Sequence, residues 1–327
     1  MDINEIARRA GVSRATVSRY LNNGYVSQEK RDLISRIIRE TGYVPSQHAQ
    51  QLRTGKTRLV GVVIPKINSQ SVSRMVAGIT SVLANNNYQV VLANTDNDER
   101  VEVDYLNLFA RRNHVDGIIL IATQFTKAHR TAISHLRVPL VVLGQRLAGH
   151  DSVFHDDYHA MFDLTSLVLR TSRMPSFLGV LKEDVSAGRE RRRGFLDACH
   201  AAGITPPPDA LRVVKFDADS GYFGAEQILD AIPTVDAIVC ATDDIAFGAA
   251  MCMIEYGKRV PDDVQITGVG DSLLSRISRP SLTTAHLPYK TSGMEAARLL
   301  LSRIESSGGP VQEIIMGYEV YARNSIR

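Results

Sequence analysis

The chain lacks several features that would assign it quickly. No apolar run sits near its start, and MDINEIARRAGVS carries charge from the second residue, so no secretory signal is expected. No uninterrupted hydrophobic stretch approaches the ~20 residues of a membrane-spanning helix. Cysteine is scarce. Cys199, Cys240 and Cys252 are odd in number and show no CxxC spacing, which speaks against a disulfide framework or a zinc site. Three buried thiols in a reducing cytoplasm are the expectation. GxSxG and GxGxxG fingerprints are missing too. Gly55-Lys56-Thr57 matches the tail of a phosphate-binding loop, but Gln50 stands where its upstream glycine belongs. His155, Asp156, Asp157 and His159 have metal-like spacing without a supporting constellation. The expectation is a protein with no catalytic residues, no metal and no cofactor.

What is present suits a folded protein of more than one unit: 327 residues, 44% hydrophobic and 22% charged. The net charge of +3 hides an asymmetry. Residues 1–58 hold eleven Lys and Arg against five acids, whereas the remainder holds 27 bases against 30 acids. A basic head on a slightly acidic body points to a polyanionic partner for the head alone.

Three short helices fit residues 1–43. Asp2 and Glu5 have capping-box spacing, and Ile3, Ile6, Ala7 and Ala10 follow at helical intervals. Gly11 ends the first helix and Ser13 caps a second, which runs to about Leu21 with Val17 and Leu21 inward. Ser27 begins a third, with Leu33, Ile34, Ile37 and Ile38 on one face and Gly42 at its end. The tight Ala10–Ser13 turn makes the first pair a helix-turn-helix. Its second helix presents Arg14, Ala15, Thr16, Ser18 and Arg19 outward. Small residues allow approach to the major-groove floor, and Arg19 offers a fork for guanine or phosphate. Spacing alone leaves a plain helical hairpin open.

From residue 59 the pattern changes. Apolar strands at 59–65, 88–94, 117–122 and 139–144 alternate with helices near 71–85, 99–112 and 126–136. A second series from about Ser152 has strands near 177–181, 237–241 and 265–270, with helices near 188–202, 220–231 and 244–256. Buried strands alternating with amphipathic helices imply two doubly wound parallel sheets, hence two lobes with a ligand cleft at the strand carboxyl ends.

IARRAGVSRATVSRYLNN closely resembles the headpiece of the LacI/GalR family of bacterial repressors, and GYVPSQHAQQLRTGKTRLVGVVIP resembles its hinge helix leading into the sensor. The resemblance covers essentially the whole chain. It implies a helix-turn-helix headpiece (1–44), a hinge and linker (45–58) and a periplasmic-binding-protein-like sensor (59–327). The sensor's first lobe would span about 59–155 plus 287–311 and its second about 156–286 plus 312–327. By resemblance, Ser13, Arg14, Ala15, Thr16, Ser18, Arg19, Asn22, Ser46 and Gln50 contact DNA, while Leu52 wedges into a minor-groove step. The short polar hinge is expected to fold only on DNA. Lys66, Gln145, Arg191, Phe216, Thr242, Asp243 and Asp271 fall on effector-pocket positions. GVGDS departs from the family's usual G-[YF]-D-D, which puts the position of Asp271 in question. Lys66, Arg191, Arg146 and Arg189 suggest a cationic cleft, as in members that sense a sugar phosphate, whereas Arg189, Arg192 and Arg193 also fit a solvated helix face. The His155–His159 run falls where the family crosses between lobes.

The resulting expectation is a homodimeric, cytoplasmic repressor of a pseudo-palindromic operator, controlled by a sugar or sugar phosphate and independent of membranes. No Leu-heptad tail for tetramerisation follows VYARNSIR. A co-repressor (nucleobase or partner protein), a periplasmic-type sugar-binding protein and a sugar-processing enzyme remain as alternatives.

Overall fold

A computed structural model describes residues 2–22, 24–43, 55–111, 115–306 and 308–327. Ser46, Gln50 and Leu52 lie outside the described residues, so the DNA-wedge and hinge expectations rest on sequence. The chain divides into two units, Met1–Arg58 and Leu59–Arg327.

In the first unit, α1 (Ile3–Arg9), α2 (Arg14–Leu21) and α3 (Gln28–Thr41) enclose a small core of Ile6, Ala7, Ala10, Val17, Ile34 and Ile37. Asp2 caps α1 by accepting the Glu5 N–H at 2.9 Å. The full capping box does not form, because the Glu5 carboxylate turns forward to Arg8 and Arg9. Ion pairing there outcompetes the return bond. Gly11 takes the left-handed conformation (φ 58°) that the tight turn needs, and Gly42 does the same (φ 61°) at the end of α3. Ser27 precedes α3 without a side-chain cap.

The second unit contains two six-stranded sheets. The first includes β1 (Leu59–Ile64), β2 (Gln89–Asn94), β3 (Gly117–Leu120), β4 (Leu140–Leu143), β5 (Asp151–His155) and β11 (Glu313–Met316), in the order β11-β5-β4-β3-β1-β2, all parallel. The second includes β6 (Pro175–Gly179), β7 (Leu211–Val213), β8 (Ala237–Cys240), β9 (Gln265–Val269), β10 (Thr283–His286) and β12 (Glu319–Tyr321), in the order β12-β10-β9-β8-β6-β7. Only the β10–β12 pair is antiparallel among the described pairings. The helices packed on the sheets are α4 (Gln70–Asn85), α5 (Glu99–Phe109), α6 (Lys127–Ser134), α7 (Asp157–Val168), α8 (Arg191–Ala201), α9 (Ala218–Ala231), α10 (Asp243–Glu255), a short α11 (Leu273–Ile277) and α12 (Tyr289–Glu305). All three cysteines are buried and free. No helix among the described residues is long and apolar enough to cross a membrane.

Two boundaries differ from the sequence reading. The segment from Ser152 does not open the second series, since β5 pairs with β4 and completes the first sheet. The final crossing does not fall at residue 312 either. β11 pairs with β5 from Glu313 to Met316, and only β12, from Glu319, belongs to the second sheet. Its alternating, half-exposed edge pattern gives no buried apolar run by which to place it.

Each lobe is clamped by a close helix crossing. A Cβ at Gly78 in α4 would overlap the Lys290 carbonyl of α12, and one at Gly293 would overlap the Met75 carbonyl. Gly221 and Gly248 make the same reciprocal contact between α9 and α10.

Candidate functional site

The exposed face of α2 follows from its sequence. Val17 is buried, while Ser13, Arg14, Ala15, Arg19 and Asn22 are exposed and Thr16 and Ser18 are half-buried. Ser13 caps the helix by accepting the Thr16 N–H at 3.2 Å, and the two hydroxyls lie 3.0 Å apart. Asn22 donates to the Ser18 carbonyl and so closes the same face at its far end. Both arginines keep their guanidinium groups in solvent.

The cleft between the two sheets has a volume of about 380 Å³ and collects the residues that follow the strands. Lys66 follows β1, Gln145 follows β4, His155 ends β5, and Thr242 and Asp243 follow β8. Arg191 and Phe216 enter from the second lobe. Six of the seven expected effector residues therefore line one cleft.

Arg191 is buried and already paired. Its Nε–H donates to Asp157 Oδ1 at 2.7 Å and its Nη1 donates to the Ala241 carbonyl. Asp157 thus belongs to the cleft rather than to a metal cluster. Asp156 caps α7 and pairs with His159 at 2.8 Å, while His155 packs edge-on against Tyr289 at 5.0 Å between ring centres. Burial pushes the His155 imidazole down to about 4, and burial beside Asp157 pushes Asp184 up to about 6. Asp243 accepts the Ser272 N–H at 2.6 Å and the Thr284 hydroxyl at 2.5 Å, and burial raises its pKa. Thr242 uses its hydroxyl to cap α10.

Asp271 does not line the cleft. Its carboxylate accepts from Arg323 Nη2 at 2.5 Å and sits 3.1 Å from His286 Nδ1, with its backbone at φ 48°. The side chain instead faces Arg323 and His286, and the carbonyls of Gly270 and Asp271 accept from Arg74 Nη1 at 2.8 and 3.3 Å. Arg74 belongs to α4 of the other lobe, so this contact bridges the lobes. Ser186, in a π-helical turn over Val185–Glu190, bridges them again by donating to the Gly144 carbonyl at 2.9 Å. Sequence reasoning missed Arg74, Asp157, Asp184 and Tyr289, because their roles depend on partners far away in the chain.

Nor is the cleft cationic. Lys66, Arg74 and Arg191 face Asp157, Asp184, Asp217, Asp243 and Asp244. Asp217 is held below its ordinary range chiefly by accepting the Ser220 N–H, with Lys66 adding to this, and Lys66 also opposes the burial-driven rise of Asp244. Arg146 pairs with Glu313 at 2.8 Å outside this cleft. Arg189, Arg192 and Arg193 are solvent-facing, with Arg193 stacked over Tyr158 at 4.2 Å.

Comparison with known proteins places both units. Residues 2–46 match the model for bacterial regulatory proteins of the lacI family, and residues 169–326 match a periplasmic binding protein-like domain. The sucrose operon repressor of Staphylococcus xylosus is 33% identical over 305 residues, covering 93% of this chain and 94% of the relative. A transcriptional regulator CelR–cellobiose complex is 27% identical over 99% of both chains, with a TM-score of 0.77. The lac repressor dimer bound to operator and the anti-inducer ONPF shares the fold at a TM-score of 0.90 and 23% identity, over 99% of this chain and 98% of that one. With a headpiece of exposed arginines and a polar interlobe cleft, the chain belongs to the lacI family of bacterial regulatory proteins: it is a DNA-binding transcriptional regulator with an effector-binding domain, not an enzyme.

Proposed function

We propose that this regulator is a homodimeric, cytoplasmic repressor whose grip on a pseudo-palindromic operator is set by a neutral saccharide in the interlobe cleft. The carrying observation is the charge balance of that cleft. Three cations meet five carboxyls, and Arg191 and Arg74 already have partners. A phosphate needs an uncompensated guanidinium or ammonium, whereas a sugar needs amides, carboxylates and one ring face. Gln145, Asp243 and the exposed ring of Phe216 supply those groups. The names of the sucrose operon repressor and the CelR–cellobiose complex favour the same ligand class.

In this reading Ser13, Arg14, Ala15, Thr16, Ser18, Arg19 and Asn22 read each half-site in the major groove. Paired hinges, with Ser46, Gln50 and Leu52, hold the centre. The saccharide acts by preferring one arrangement of the lobes, because a ligand shifts an equilibrium only through differential affinity. Thermal unfolding with neutral sugars, sugar phosphates and purine bases tests the ligand class. A neutral sugar at ~100 times its dissociation constant should stabilise the protein by ~2.7 kcal/mol. Stabilisation by sugar phosphates or purines alone would refute the reading.

A further inference from the structure

A second cavity, with a volume of about 960 Å³, lies beside the effector cleft. His155, Asp157 and Ser186 line both, so they form the wall between them, and the Ser186 hydroxyl ties that wall to the Gly144 carbonyl. The first lobe contributes the loop before α6, Arg130 of α6, and side chains of β5 and β11. The second lobe contributes the segment after β6 and its π-helical turn.

The chemistry of this cavity differs from that of the cleft. Phe125 and Phe154 are half-buried and Ile315 is 63% exposed, which gives it an apolar surface open to a ligand. Its carboxylates are largely taken: Asp156 pairs with His159, Asp157 with Arg191 and Glu190 with Arg193, which leaves Glu183. Two of its cations are taken as well, Arg146 by Glu313 and Arg193 by Glu190 and the face of Tyr158. Three are not. Arg130 and Lys182 have no carboxylate partner among the described residues, and Arg189 reaches Glu190 only at 3.8 Å. Arg130 belongs to the first lobe and Lys182 and Arg189 to the second, so like charges stand on both sides of the gap. An anion between them would relieve that repulsion, and uncompensated guanidinium and ammonium groups are what a phosphate requires.

We propose that this cavity is a second ligand site, for a phosphate monoester with an apolar ring: Arg130, Lys182 and Arg189 hold the phosphate, and Phe125, Phe154 and Ile315 receive the ring. The site is independent of what occupies the effector cleft. Because its cations come from both lobes, a ligand seated there ties the lobes together.

The test is titration calorimetry on the full-length protein with phenyl phosphate, phenol and inorganic phosphate at constant ionic strength. Phenyl phosphate should bind at least about tenfold tighter than either fragment, since only it engages both the cations and the apolar surface. Arg130→Gln and Lys182→Gln, each at an exposed position that the fold does not depend on, should each weaken phenyl phosphate about tenfold. No binding of phenyl phosphate would overturn the site. Inorganic phosphate binding as tightly as phenyl phosphate would mark an adventitious ion only and overturn it too. Weakening by Lys66→Gln, with Arg130→Gln and Lys182→Gln both unchanged, would place the anion in the effector cleft and refute the second site. None of these arms uses a neutral sugar, so failure here leaves the saccharide reading of the cleft standing.

Discussion

Arg191 and Asp157 place a full charge pair at the floor of the cleft, with side-chain exposures of 7% and 2%. Removing one member strands the other in a poorly solvated site. Arg191→Met should therefore lose about 3–5 kcal/mol of stability in urea denaturation. The double variant with Asp157→Asn should recover a substantial part of that loss. Additive losses would show that the pair is not coupled. His155 gives a pH signature. Its imidazole titrates near 6.5 in the unfolded chain and at about 4 in the native protein, held down first by burial and further by Arg191 and His286 against the opposing pull of Asp157. Between those values the unfolded chain binds more protons, so acidification from 6.5 towards 4 drains stability. His155→Phe should lack this contribution, and its stability should fall less steeply over that window. Parallel curves for variant and wild type would contradict it.

At the scale of elements, the reciprocal glycine crossing of α4 and α12 leaves no room for a methyl group. Gly293→Ala must push the helices apart and should cost at least about 1–3 kcal/mol, read as a lower urea midpoint. An unchanged midpoint would mean that the crossing relaxes freely. The Arg74 bridge is the other element-scale device. Its grip on the 270–271 carbonyls steadies a turn whose Leu273 N–H donates to Gln70 Oε1 across the cleft at 3.3 Å. Arg74→Ala should speed amide exchange at Asp271 and Leu273, and protection equal to wild type would deny the bridge that role. These features also mark where sequence legibility stops. Buried strands such as LVGVVI and LVVL announce themselves through continuous apolar runs, as does the α2 face through Val17. The edge strands β7, β11 and β12 do not, because half-exposed positions carry no periodic constraint. Most of the expected cleft residues are placed by the family resemblance, and Lys66, Gln145 and Thr242 do come directly after strands. Asp271 misled because its carboxylate is taken up by Arg323, 52 residues further along the chain, and charge balance misled because Asp157 and Asp184 are brought to Arg191 only by folding.

For the whole molecule, a basic headpiece and a near-neutral sensor divide the work. In the proposed function the head supplies phosphate attraction and base reading, and the sensor supplies a ligand-dependent bias between lobe arrangements. In the function proposed here, a cleft in which Arg191 and Arg74 already have partners makes that bias responsive to hydroxyl patterns rather than to charge. The most direct test is the dissociation constant for an operator selected from a random duplex library, measured at fixed salt with and without a panel of neutral sugars, sugar phosphates and purine bases. The account predicts that at least one neutral sugar changes operator affinity tenfold or more. Operator affinity that stays constant across every neutral sugar, or that moves only with a phosphate or a purine, would contradict it.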